Sequence, residues 1–287
     1  MYVRRVALQC SRNSLQILYR RRNYITALFA CYFCRFFFGE LTVDVCIAAI
    51  ERDLHNGCLY KSIASIRSQT TRPKAVILVV SNTSSSSDEI KKELMKFMYP
   101  IRLEVYAYPN RLMQSQGRNI ALAHTTSDIV SFIDADDFSH PQRVEFIVRL
   151  FSKHRKLRLL LHEFTTEAEN IQSWRTQRLR YVTSKTRYTS FLCQAELQTR
   201  HQPHLDLPVH HAHVSVRREV FRNHKFDETV ASYRIEDSLF VREIIAETCA
   251  TRGKFSKSTL SYIQLPLSYY TARRDQCKLH TSMERRV

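Results

Sequence analysis

Two hydrophobic rhythms alternate along the first half of this chain. Residues 42–49 alternate weakly and carry enough β-branched side chains to predict a first buried strand. Leu59, Ile63 and Ile66 then recur at helical spacing, predicting a helix that ends before Pro73. Residues 75–80 form an unbroken apolar run, the pattern of a strand covered on both faces. A polar loop follows over 81–87. Ser86 and Glu89 have the spacing of a capping box, and Ile90, Leu94 and Phe97 mark the buried face of the helix that it opens. Residues 101–107 predict a third strand, 114–124 a helix and 129–133 a fourth strand. Ser139, Pro141 and Gln142 begin another helix, with Val144, Ile147, Val148 and Phe151 on its apolar face. Strand and helix thus alternate from about 42 to 155, the order of a doubly wound α/β sheet. Residues 156–235 are less regular and rich in Arg, Thr, Gln and His.

In such sheets ligands bind beyond the carboxyl ends of the strands, which directs attention to 129–137. There an apolar run ends in Asp134, Asp136 and Asp137. A second acidic pair, Glu236-Asp237, opens an apolar stretch near the C-terminal end. An Asp-x-Asp at a strand end offers hard oxygen ligands where a divalent cation and a diphosphate meet. A carboxylate from a distant segment suits a general base. The combination predicts group transfer from a phosphate-activated donor.

The acids stand out because the chain is basic, with 44 Lys and Arg against 27 Asp and Glu and a net charge of +17. That charge favours anionic partners. No RNA-recognition, zinc-finger or K-homology pattern accompanies it, so no specific nucleic acid is expected. The four glycines, Gly39, Gly57, Gly117 and Gly253, form neither G-x-G-x-x-G nor a Walker A loop, which excludes those two nucleotide sites. The eight cysteines are scattered. Cys31 and Cys34 lie among aromatics as packing residues, and the whole set suggests reduced, intracellular thiols.

Residues 1–40 are basic and apolar, with no acid before Glu40. An apolar run over 24–38 is shorter than a spanning helix requires, and Arg35 interrupts it. A docked helix, membrane association and a targeting segment all remain open for it.

Four stretches resemble the family 2 glycosyltransferases of the GT-A fold. Residues 65–73 (SIRSQTTRP) are similar to that family's "S-I-x-x-Q-T-x-x-P". Gly117-Arg118-Asn119-Ile120-Ala121 resembles its helix start beneath the nucleotide. Phe132-Ile133-Asp134-Ala135-Asp136-Asp137, with Pro141 and Arg143, resembles "F-L-D-x-D-D…P-x-R". Residues 216–221, then Phe226-Asp227-Glu228 and Glu236-Asp237, follow "R-R-x-x-F…F-D-E…E-D" in order and spacing. The resemblance implies a GT-A type mixed sheet in a single catalytic domain over 41–275. Its nucleotide-sugar half spans 41–155 and its acceptor half 156–275, with a basic tail over 276–287.

It also implies transfer of a sugar from a nucleoside diphosphate sugar to a glycan, lipid or protein hydroxyl, with inversion and with Mg²⁺ or Mn²⁺. Asp136 would contact the metal, and Asp134 the ribose or a metal-bound water. Asp237 would be the base and Glu236 its hydrogen-bonding neighbour. Ser81, Asn82, Arg118 and Arg217 are candidate substrate contacts, although Arg118 packed on the sheet and Arg217 as surface charge are equally open.

The chain departs from the family where Asp-Asp-Gly-Ser gives way to Ser81-Asn82-Thr83 and Pro-x-Tyr-Asn to Ile50-Glu51-Arg52-Asp53. His210, His211 and His213 replace a glycine and suggest acceptor contact on a strand. His280 is a weaker metal candidate. A nucleotidyltransferase on a related fold and a catalytically silent nucleotide-sugar- or carbohydrate-binding protein are the alternative readings.

Overall fold

A computed structural model describes residues 40–166, 171–180, 186–201, 213–229, 235–250 and 259–271. The expectations for 24–38, Cys31, Cys34, His210, His211 and His280 lie outside the described residues. One unit begins at Leu41.

The strands are β1 (Val43–Ile50), β2 (Ala75–Ser81), β3 (Arg102–Tyr108), β4 (Ile129–Phe132), β5 (Phe138–Ser139), β6 (Leu159–Thr165), β7 (Thr186–Tyr188), β8 (Val214–Arg217) and β9 (Leu260–Tyr269). They form one sheet in the order β3-β2-β1-β4-β8-β6-β9-β5, with β7 also on β9. The first four strands are parallel. β8 then enters antiparallel between β4 and β6, and β6 runs parallel to β9. The helices are α1 (Glu51–His55), α2 (Cys58–Arg67), α3 (Ser87–Met98), α4 (Gln114–Ala123), α5 (Arg143–Lys153), α6 (Ile171–Thr176), α7 (Thr189–His201) and α8 (Glu236–Ala250). The parallel half is the α/β order expected from the alternation, and the mixed sheet is the one that the family resemblance implies.

Period-two alternation sends each strand's apolar residues to both faces. Cys46, Ile77, Val79 and Phe132 face Ala121 of α4 and Phe240, Val241 and Ile244 of α8. Ile47, Val76, Leu78 and Val80 face Ile63 and Ile66 of α2 and Ile90 and Leu94 of α3. Complete burial of side chains such as Ile63 and Leu94 contributes about 1.5–3 kcal/mol each. One expectation is corrected in α3: Met98, not Phe97, completes the buried face. Phe97 is largely exposed and packs edge-on against Tyr60, with ring centroids 5.2 Å apart.

Polar side chains fix the loops between these elements. Ser86 and Glu89 form the expected capping box, with the Ser86 N–H donating to Glu89 Oε2 at 2.7 Å. Gln69 clamps α2 to the start of α5, donating to the His140 carbonyl at 2.8 Å and accepting from the Val144 N–H at 2.9 Å. Asp44 is fully buried in β1. It accepts from the N–H groups of Thr126 and Ser127 at 2.8 and 2.9 Å and from Ser127 Oγ at 2.7 Å, so its carboxylate holds the entry to β4. Asp44→Ala should therefore cost about 3 kcal/mol, since buried donors lose a charged acceptor. Urea unfolding measures it, and a cost under about 1 kcal/mol would show that water replaces the carboxylate.

Candidate active site

The carboxyl ends of β1 and β2 and the loop after β4 border a cavity of about 760 Å³. Ala48, Ala49, Ile50, Val79 and Ser81 line its strand side, Gln114 and Gly117 its helix side, and Asp134, Ala135, Asp136 and Glu236 its acidic side. Gly117 is the residue that lets α4 lie this close. A Cβ there would stand 3.0 Å from the Ala48 Cβ.

The three aspartates diverge. Asp134 and Asp136 line the cavity and are partly exposed, whereas Asp137 is fully buried. Asp137 accepts from the Thr271 N–H at 3.0 Å, just past the end of β9. Beneath the loop Arg143 donates to Ser131 Oγ at 3.0 Å, Ser139 Oγ at 3.2 Å and the Phe132 carbonyl. Burial pulls the Arg143 guanidinium down to about 10, against the opposing charges of Asp137 and Asp134, so it stays protonated at neutral pH. Asp137 and Arg143 thus form the loop's support, while Asp134 and Asp136 line the cavity.

Arg118 joins this loop to the second acidic pair. Its guanidinium lies 2.9 Å from Glu236 Oε1 and 3.4 Å from Asp134 Oδ1, donates to Gln114 Oε1 at 3.0 Å and lies 5.5 Å from the Phe226 ring centroid. Arg118 is therefore a buried cation held between the two acidic segments, and it is not among the residues that line the cavity. Its neighbour Asn119 fixes the segment before α8, donating to the Phe226 carbonyl at 2.8 Å and to Glu228 Oε1 at 2.7 Å. Gly117, Arg118 and Asn119 thus each do a separate job. Glu236 and Asp237 sit buried in the first turn of α8, where the helix dipole favours carboxylates. Glu236 reaches the cavity and Asp237 is not among its lining residues. Asp237 Oδ1 accepts from the Ser238 N–H at 2.7 Å.

Other expected site residues fall differently. Ser81 lines the cavity; Asn82 adopts a left-handed backbone (φ 56°) and donates its N–H to the Asn110 carbonyl at 3.1 Å. Thr83 donates to Glu51 Oε1 at 3.1 Å, tying together the two turns that depart from the family pattern. Arg217 is corrected. It pairs in register with Ile129 at the opposite end of β4 and donates to the Leu157 and Phe151 carbonyls at 2.8 and 3.2 Å, closing the end of α5. The histidine reading is corrected too, for His213. It precedes β8 rather than lying within it, and is buried with its ring stacked 4.6 Å from Phe164.

Tyr270 was missed, because nothing in its local sequence separates it from a strand-end aromatic. Burial, then the charges of Asp137, Asp136 and Asp134, push its phenol up, placing it in the field of the acidic loop. The cysteine reading is also corrected: Cys193 and Cys249 form a disulfide between α7 and α8, with Cα atoms 5.7 Å apart. Their 56-residue separation hid the pairing from the sequence. Among the described residues, no helix is long and apolar enough to cross a membrane.

A family model described as glycosyl transferase family 2 matches residues 44–224. The teichoic acid poly(glycerol phosphate) polymerase of Staphylococcus epidermidis is 26% identical over 154 residues, covering 54% of this chain and 20% of the polymerase. S. aureus TarS 1-349 superposes with a TM-score of 0.54 at 13% identity, over 80% of this chain and 60% of that one. The same protein in complex with UDP-GlcNAc gives 0.55 at 15% identity, over 81% and 59%. This chain therefore spans a fifth of the polymerase and about three-fifths of the TarS fragment.

Proposed function

The chain belongs to glycosyl transferase family 2, and from that premise we propose that it moves a sugar from a nucleoside diphosphate sugar to a hydroxyl acceptor, with inversion. The observation that carries this reading is Arg118, whose guanidinium bridges Asp134 and Glu236, two acids that line one cavity together with Asp136. The superposition on TarS in its UDP-GlcNAc complex supports a nucleotide-sugar donor.

The donor set fits a hard divalent ion. Among the described residues no group of three or more His, Cys, Asp or Glu can enclose a cation. Asp136, with Asp134, would instead share Mg²⁺ or Mn²⁺ with diphosphate oxygens, the usual manner of magnesium sites. Bound there, the ion would neutralise charge on the departing diphosphate.

The chain's own groups do the rest. Asp134 meets the ribose or a metal-bound water, and Ser81 lies at the nucleoside end. Asp237 accepts the acceptor's hydroxyl proton as that oxygen bonds to the anomeric carbon. The anomeric bond to the diphosphate breaks, and a single in-line displacement inverts the centre. Glu236 holds Asp237's surroundings through Arg118.

Hydrolysis of a panel of UDP-, GDP-, CDP- and TDP-sugars, with Mn²⁺ and with chelator, tests the proposal. Turnover of one nucleotide class, lost on chelation, is expected. Cleavage of none, together with no nucleotide-sugar binding, would reject it; binding without cleavage would favour a silent carbohydrate-binding protein.

A further inference from the structure

Asp134 and Glu236 come from segments about a hundred residues apart, yet both end on the Arg118 guanidinium. The two contacts are unequal. At 2.9 Å the Glu236 bond is a short charge-assisted hydrogen bond, while the Asp134 contact at 3.4 Å is loose. Glu236 Oε1 takes the Arg118 bond, and its Oε2 is buried without a hydrogen-bond partner among the described residues. The side chains of Arg118 and Glu236 are 3% and 6% exposed, that of Asp134 15%, so the loose contact is also the one nearest solvent.

We propose that Arg118 is a positioning residue that competes with the divalent cation for Asp134 and thereby couples cation loading to the placement of the Glu236–Asp237 pair. The proposal rests on the reading in which Asp136 holds the cation and Asp134 reaches it directly or through a metal-bound water rather than facing the ribose. A guanidinium and a divalent cation cannot both sit against one carboxylate without mutual repulsion. Relaxing the 3.4 Å contact costs little, because it is long and partly screened. Glu236 is then the one carboxylate still held by Arg118, which keeps its bond to Gln114, and the start of α8 settles against that cation. By linkage the effect is reciprocal: whatever strengthens the hold of Arg118 on Asp134 weakens cation binding by the same factor.

The competition has a signature that structural damage lacks. Arg118→Gln removes the competing charge. Mn²⁺ alone, followed by electron paramagnetic resonance of the free ion, should then bind roughly three- to tenfold tighter, as expected for one nearby charge removed from a partly exposed site. Transfer should fall about a hundredfold, seen in kcat more than in donor KM, because Glu236 loses its partner. Arg118→Lys keeps the charge but not the planar fork; its Mn²⁺ affinity should stay near wild type while its transfer also falls.

Arg118→Gln combined with Glu236→Gln removes the unpaired buried acid, so it provides a folded background if the single variant unfolds. Measured against Glu236→Gln alone, its Mn²⁺ affinity should likewise rise. Unchanged or weaker Mn²⁺ binding in a folded charge-removed variant would overturn the proposal, leaving the cation site itself intact. No Mn²⁺ binding by the wild-type protein, alone or with UDP, would overturn the cation reading and this inference together.

Discussion

Asp237→Asn is expected to leave donor affinity within about twofold of wild type and to slow transfer by ~10²–10⁴, the usual contribution of a general base. The separation follows from position: Asp237 does not line the cavity assigned to the donor, whereas Glu236 does. Glu236→Gln should be milder in rate, because an amide at the same place still accepts from Arg118. It should disturb donor binding more. Single-turnover transfer and calorimetric donor binding on both variants decide between the acids. If Asp237→Asn keeps most activity while Glu236→Gln loses it, the base is Glu236 and the assignments exchange.

Asp136→Asn should abolish the Mn²⁺-dependent part of nucleotide binding, weakening it on the order of 10²-fold, the upper end of what even outer-shell partners of a metal cost. Affinity without Mn²⁺ should hardly change, since an amide occupies the same space without the charge. Calorimetry of UDP with and without Mn²⁺ reads both quantities. Equal metal-dependent affinity in the two proteins would remove Asp136 from the metal. Asp137→Asn would act otherwise: Asp137 is buried against the Thr271 N–H, so the loss should appear first in stability.

The parallel half of the sheet was legible because its signals are local. The run over 75–80 became β2 (Ala75–Ser81), and the Ser86–Glu89 pair capped α3 as its spacing predicts. The position of Asp134 and Asp136 just beyond β4 was legible for the same reason, since a short apolar run precedes them. What escaped depends on partners far along the chain. Leu159, Leu160 and Leu161 are apolar enough for a strand, but only pairing with β8 and β9 makes them one. Arg118 offered no local clue to Glu236. Arg217 matched the family motif in type, yet its side chain closes the end of α5, because β8 runs antiparallel to β4 and carries it away from the acids. The cysteine pair was hidden by chain separation in the same way.

The insertion of β8 beside β4 also sets a sequence of events at the ribosome. Everything from β1 through Asp137 is made before the strand that covers β4's open edge. At typical rates of synthesis, β8 emerges roughly ten seconds after the acidic loop, and α8 later still. During that interval Asp134 is available to Arg118 and Glu236 does not yet exist. A strand edge meanwhile stands exposed to pairing with other chains. The nascent protein therefore passes through a stage with one of its two acidic segments and an unprotected border. A holding chaperone acting in that window would raise the yield of active enzyme without altering the stability of the finished fold.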